Sequence, residues 1–225
     1  MSIQSNLNTI AASLPEHVTL VAVSKTKPVS DLMQAYEAGQ RIFGENKIQE
    51  MTDKWEEMPK DIQWHMIGHV QSNKVKFMAP YVSLIHGVDS LKLLQEINKQ
   101  ALKNNRIIGC LLQIYIAEEE SKFGLDEAEL NELLASSVFK ELENIRILGL
   151  MGMATFTEDQ NQIKKEFTHL KSIFDSIQEK KNALFGASKL DNFSTISMGM
   201  SGDYKLAIEC GSTMVRIGSS IFGGR

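Results

Sequence analysis

Cysteine is scarce in this sequence: Cys110 and Cys210 are its two thiols, and neither stands at metal or redox spacing. That argues against a disulfide scaffold, and a reduced, cytoplasmic protein with two buried thiols is the economical expectation. Charge of one sign is not in excess either. A net charge of -4 supplies no global field for nucleic acid or an anionic membrane, although a local basic pocket stays open. No apolar run approaches the ~20 residues needed to span a bilayer. The opening "MSIQSNLNTIAASLPEH" has neither a basic region nor a long apolar one, so it does not read as a signal peptide. Without secretion the glycosylation sequon Asn192-Phe193-Ser194 carries no meaning. With four prolines, and no Pro/Gly/Ser-rich linker or charge run, no domain boundary is indicated. Residues 1–225 are expected to form one domain. No GxGxxG follows any apolar run, which argues against an open dinucleotide-binding sheet.

What the chain does have is alternation. "HVTLVAVSK", "RIFGEN", "IQWHMIG", "VSLIHGVDS", "IIGCLLQIYI", "IRILGLMGM", "FSTISMGM" and "STMVRIGSSIFG" read as short, buried strands. Each but the last is followed by a helical pattern. The first of these, "SDLMQAYEAG", has Ser30 placed as N-cap and Gly39 as stop, and Ser90 caps "LKLLQEINKQALKNN". Strand and helix in turn predict a parallel sheet with helical crossovers. Eight such units point to an α/β fold, a single (β/α)8 TIM-type barrel. "NLNTIAASL" would add an N-terminal helix over the barrel's bottom or side.

In such a barrel, function gathers where strands end. The strand ends here carry Lys25, Asn46, Gly68, the stretch from His86 to Ser90, Lys122, "MGM" at 151–153, "MGMS" at 198–201 and "RIGSS" at 216–220. Ser201 is placed to open a helix, and Gly218, Ser219 and Ser220 offer successive backbone N–H groups suited to a phosphate. Gly218 equally well serves only to let the last strand close the barrel. A rim lysine facing a phosphate cradle matches one cofactor, pyridoxal 5′-phosphate (PLP), held as a Schiff base and anchored by its phosphate. Lys25 continues its strand and shares a face with Val21 and Val23, whereas Lys27 precedes Pro28 and turns away. Lys25 is therefore the expected anchor and Lys27 a solvated strand end.

The stretches "VAVSKTKP", "FGENKIQE", "WHMIGHVQSNK", "GLMGM", "SMGMSGDYKLAI" and "GSTMVRIGSSIFG" resemble the pyridoxal phosphate homeostasis protein family, from about Val21 onward. That family is similar in fold to the N-terminal barrel of alanine racemases (fold type III). The resemblance implies covalent attachment of PLP to Lys25 and a role in vitamin B6 and amino-acid homeostasis rather than turnover. It also implies an arginine, Arg216, facing the pyridine nitrogen, Ser201, Gly218 and Ser219 on the phosphate, and Asn46 and Met198 beside the ring. Lys122 falls in a loop similar to one that carries a basic residue near the cofactor in the racemases. Two departures stand out: His69 where the family more often has proline, and Ser219-Ser220 in place of Thr-Ala. Serine keeps the hydroxyl and the backbone N–H.

A guanidinium only donates, so a pyridine nitrogen facing Arg216 stays unprotonated and the ring is a weaker electron sink. The resemblance further implies that racemases of this fold take a tyrosine base from another domain of a partner subunit. No such domain is expected here, and Tyr36, Tyr81, Tyr115 and Tyr204 have no motif on the rim. His65 is expected to be a hydrogen-bonded structural histidine, His86 to lie near enough to the rim to touch a ligand, and "AEEES" at 117–121 to be a solvated loop. Three functions follow. The first is a monomeric carrier or buffer of PLP that serves client enzymes and exchanges with amino acids. The second is a low-activity amino-acid racemase, and the third a barrel for another phosphorylated metabolite with Lys25 only a charge. No metal, nucleic acid or membrane enters any of them.

Overall fold

The alternating apolar runs fold as strands because each is short and mostly apolar, and the polar-rich stretches between them form the crossover helices. The computed structural model describes residues 2–118, 123–185 and 192–224. The first half runs α1 (Ile3–Ser13), β1 (Thr19–Val23), α2 (Val29–Glu37), β2 (Ile42–Glu45), α3 (Ile48–Glu57), β3 (Gln63–Met66), α4 (Val75–Met78) and β4 (Leu84–Val88). The second runs α5 (Leu91–Lys103), β5 (Ile108–Gln113), α6 (Glu127–Ala135), α7 (Ser137–Glu141), β6 (Ile145–Met151), α8 (Gln160–Phe185), β7 (Thr195–Ser197), α9 (Tyr204–Glu209), β8 (Met214–Ile217) and α10 (Ser219–Phe222).

The eight strands pair in chain order and in parallel, and β1 closes on β8 with Val21 opposite Arg216. The expected (β/α)8 barrel is the observed fold. Alternation along each strand sorts the side chains into two layers. Val21, Leu84, Leu111, Met151 and Met214 form a small inner cluster, while Ala22, Phe43, Trp64, Ile85 and Ile196 join the large core under the helices. Gly149 is required where β6 meets β7, since a Cβ there would stand 1.7 Å from the Thr195 carbonyl oxygen. No helix among the described residues is long and apolar enough to cross a membrane.

Several details differ from expectation. The last strand also has a helix after it, α10, and α1 packs against α10 and α2 along the side of the barrel. Asn6 fixes that contact, its Nδ2 donating to the Ile221 carbonyl at 3.0 Å. The helical stretch after β5 splits at Ser136 into α6 and α7. Ser30 is not a cap: the cap falls two residues earlier, at Pro28, and α2 begins at Val29, because proline's fixed φ suits a helix entry. Ser90 does cap α5, its hydroxyl accepting from Leu93 N–H at 3.3 Å. Ser90→Ala is expected to cost about 1 kcal/mol and to lower the thermal midpoint by roughly 2–4 °C. Ser30→Ala, measured beside it by thermal unfolding, is expected to change nothing.

Candidate functional site

At the C-terminal ends of the strands the barrel opens into a cavity of about 510 Å³. Lys25, Asn46, Ser201, Arg216, Gly218 and Ser219, six of the residues singled out in the sequence, all line it. The rim loops lie close together: a Cβ on Gly68 would come within 2.4 Å of the Asn46 carbonyl oxygen, so only glycine lets these loops meet.

Lys25 sits at the first central position of a tight turn. Lys27 N–H donates to the Ser24 carbonyl at 3.1 Å, and Thr26, the second central residue, has φ 64°. That is a left-handed conformation usually left to glycine or asparagine, and for a β-branched residue it is strained by about 1–3 kcal/mol. The turn sends Lys25 inward over Val23, as the alternation along β1 anticipates. Lys27 departs from expectation. It too lines the cavity mouth, and its Nζ donates to the Gly224 carbonyl at 2.9 Å.

On the adjoining strand β8, Arg216 also lines the cavity and is 4% exposed. Its guanidinium donates to the Ser197 carbonyl (2.8 Å), the Ser197 hydroxyl (2.6 Å) and the Gly152 carbonyl (3.1 Å). Burial pushes its pKa down to about 10, so it stays charged at neutral pH. Below it lies a polar layer in the barrel interior. His86 Nδ1 is 3.1 Å from the Ser197 hydroxyl, and His86 Nε2 is 3.0 Å from His65 Nδ1. Desolvation holds the His65 pKa down at about 3. His86 is held well below its usual value by burial, then by His65 and Arg216. Both imidazoles are therefore neutral at physiological pH.

Gly218 N–H donates to the Ser201 hydroxyl at 3.3 Å, which ties the loop after β7 to the start of α10. A Cβ on Gly202 would meet nothing within 4 Å, so this loop faces open space in the cavity. Ser201 itself does not open a helix: α9 starts at Tyr204, with Asp203 accepting from Met200 N–H at 2.5 Å. The first turn of α10 has no side-chain cap. Its leading N–H groups therefore face the cavity mouth unblocked by a side chain of their own.

Two other residues fall elsewhere. Met198 is fully buried in the outer core rather than in the cavity; Gly199, at φ 96°, breaks the alternation, and Met200 takes the rim position. His86 lies one layer below the rim and reaches the cavity only through Ser197 and Arg216. The anticipated structural role of His65 is met by its bond to His86. Lys122 and residues 119–121 of the acidic loop lie outside the described residues.

Sequence reasoning passed over Gln113, Phe123 and Phe156, which also line the cavity. Gln113 is buried, its amide held by the Phe123 carbonyl at 2.7 Å, and its inward alternation on β5 was the available signal. His69 stacks on Phe123, ring centroids 4.6 Å apart, with Nδ1 3.4 Å from Asp89. His69 is thus accommodated in its loop by the Phe123 ring and Asp89. None of the described lining residues is a tyrosine, cysteine or carboxylate, and no metal-binding cluster occurs among the described residues.

Comparison with known proteins sets this geometry in context. The family model "Alanine racemase, N-terminal domain" matches residues 1–225. The pyridoxal phosphate homeostasis protein of Vibrio alginolyticus is 37% identical over 239 residues, covering 100% of this chain and 98% of its own. That of Escherichia coli is 38% identical over 215 residues, covering 94% and 87%. Among solved structures, PipY of Synechococcus elongatus with PLP bound is 33% identical, with TM-score 0.87 over 99% of this chain and 100% of PipY. An alanine racemase from Bartonella henselae, 18% identical with TM-score 0.70 over 99% of this chain and 58% of its own, shares the barrel fold.

Proposed function

This chain belongs to the pyridoxal phosphate homeostasis protein family, and from that premise we propose that it binds PLP covalently through Lys25 and carries or buffers the cofactor without turning over a substrate. The observation that carries the reading is a single cavity lined by Lys25, Arg216 and the Ser201 and Gly218–Ser219 loops. The donor set fits the cofactor: a primary amine, a buried guanidinium, a serine hydroxyl and the uncapped start of a helix. When bound, PLP supplies an aldehyde that condenses reversibly with a primary amine, with loss of water.

This chain's residues define the rest. Arg216, locked by two carbonyls and Ser197, can offer only N–H to whatever faces it, so it keeps a pyridine nitrogen unprotonated. That withholds the electron-sink character which amino-acid chemistry on the cofactor requires. Ser201, Gly218 and Ser219 would receive the phosphate, the 3.3 Å Ser201–Gly218 bond being long enough to yield to a phosphate oxygen. Asn46, which lines the cavity from the loop after β2, would stand beside the ring. On this reading the protein acts as a cytoplasmic monomer, releases the cofactor to an incoming amine, amino acids included, and passes it to client enzymes.

The test is titration of the purified protein with PLP, followed by borohydride reduction and peptide mapping. A visible absorption band and a reduced adduct on Lys25 are expected, with no D/L interconversion of amino acids. A protein that yields no band, or an adduct scattered over surface lysines, would refute the reading. Measurable racemisation would refute the carrier role alone.

A further inference from the structure

A buried ionic cluster stands on the opposite side of β1 from the cavity, and nothing in the function proposed above uses it. Ser24 and Glu45 point outward beneath α3, where Lys54 is 6% exposed and Glu45 fully buried. Lys54 Nζ donates to Glu45 at 2.7 Å, to Glu50 at 2.7 Å and to the Ser24 carbonyl at 2.8 Å. The Ser24 hydroxyl donates to Glu45 at 2.6 Å, and Thr26 N–H donates to Glu50 at 2.5 Å. The residues on both sides of Lys25 are thus bound to one cluster, which is built on α3.

The composition of that cluster asks for a reason. Burying a lysine and a carboxylate is costly even when they pair, and apolar residues of similar volume usually stabilise as well or better. Here Glu45 Oε2 has no hydrogen-bond partner at all. The cluster's two backbone bonds fall on Ser24 O and Thr26 N, which flank the turn where Thr26 adopts its unfavourable left-handed conformation. We infer that Lys54 and Glu50 are a clamp holding the strained Ser24–Lys27 turn, and are thereby positioning residues for attachment at Lys25. The inference rests on the reading of Lys25 as the attachment point. A threonine at this turn position relaxes towards β-region φ unless its N–H is held, and Lys25 would then swing with it. Glycine or asparagine would need no clamp.

Glu50→Ala removes the acceptor for Thr26 N–H while leaving Lys54 paired to Glu45. It is expected to weaken PLP attachment about tenfold, equivalent to ~1.4 kcal/mol. Glu50→Gln keeps an acceptor oxygen and should stay within about threefold of wild type. Thr26→Asn tolerates the left-handed conformation, so Glu50→Ala combined with Thr26→Asn should recover to within about threefold. A merely structural ion pair predicts no such rescue. Unchanged attachment in Glu50→Ala, or a loss that persists in the double variant, overturns the clamp.

A second arm needs no cofactor. Limited acetylation of the unliganded protein, read by mass spectrometry, gives the Lys25 to Lys27 labelling ratio. Glu50→Ala should shift that ratio by about threefold or more, and Thr26→Asn should restore it. An unchanged ratio overturns the clamp. If wild type forms no adduct with PLP, the function proposed above falls, and the labelling arm alone decides the clamp.

Discussion

Lys25→Ala is expected to abolish the borohydride-reducible adduct altogether, while Lys27→Ala retains it at Lys25. Lys25 reaches the cavity over Val23 on the inward face of β1, and attachment requires an amine that condenses with an aldehyde. What remains in Lys25→Ala is binding through the phosphate and ring contacts alone. Its affinity should therefore fall by about two orders of magnitude, equivalent to ~2.7 kcal/mol, as measured by equilibrium dialysis. The fold should be spared: Lys25 is half-buried at the end of a strand, and its loss is expected to cost no more than about 1 kcal/mol in denaturant unfolding. Lys27 lines the same mouth but holds the Gly224 carbonyl. Its replacement should alter the rate of loading more than the site of attachment. An adduct that survives in Lys25→Ala would transfer the anchor to another lysine and remove the basis of the proposed function.

Acid should unfold this protein earlier than its carboxylates alone would require. His65 and His86 are neutral in the fold, with pKa values of about 3 and well below 6.5 respectively, while in the unfolded chain each titrates near 6.5. Between those limits the unfolded chain holds more protons than the folded one, so stability rises with pH and is lost as pH falls below about 6.5. A histidine that stays neutral in the fold costs ~1.36 kcal/mol per pH unit below its unfolded pKa, so at pH ~4.5 His65 costs about 2.7 kcal/mol and His86 adds to it in the same direction. That is a large part of the stability of a marginal domain. Glu45 and Asp203 run the other way, because burial raises both carboxyls and the fold takes up their protons more readily. The comparison that isolates the histidines is therefore His86→Asn against wild type. The variant should be less stable at neutral pH, by about 1–3 kcal/mol for the lost bonds, yet its stability should fall about half as steeply between pH ~6.5 and ~4.5. Parallel slopes in thermal unfolding would show that the buried pair does not govern the acid limb.

The barrel was legible because its signal repeats: apolar runs of strand length, each punctuated by a helical pattern. Lys25 was legible because alternation along β1 fixes its side, whereas Arg216 was reached through the family resemblance and not through periodicity. Alternation does not fix depth. His86 points inward as its strand dictates, but β4 runs on to Val88, which leaves it a layer below the rim. Alternation also stops at irregular backbone, and the turn at Gly199 put Met200 where Met198 was expected. Phe123 and Phe156 come to the cavity from loops, whose paths no periodicity encodes. The pair Glu50 and Lys54 has the spacing of an ordinary exposed helix face. Only the packing of α3 over the end of β1 makes it a buried cluster.

The seam between β1 and β8 has a temporal meaning as well. Lys25 follows the first strand and Arg216 lies in the last, so the two walls of the cavity belong to segments that meet only when the barrel shuts. Such distant segments must pay the entropy of closure before any contact rewards it. On the proposed function, a nascent chain that lacks its final strand would hold the Lys25 wall of the site without the Arg216 wall. A ligand bridging the two walls acts as a latch on the finished ring, adding its binding free energy to the closed state alone. On that reading, occupancy would report completed assembly.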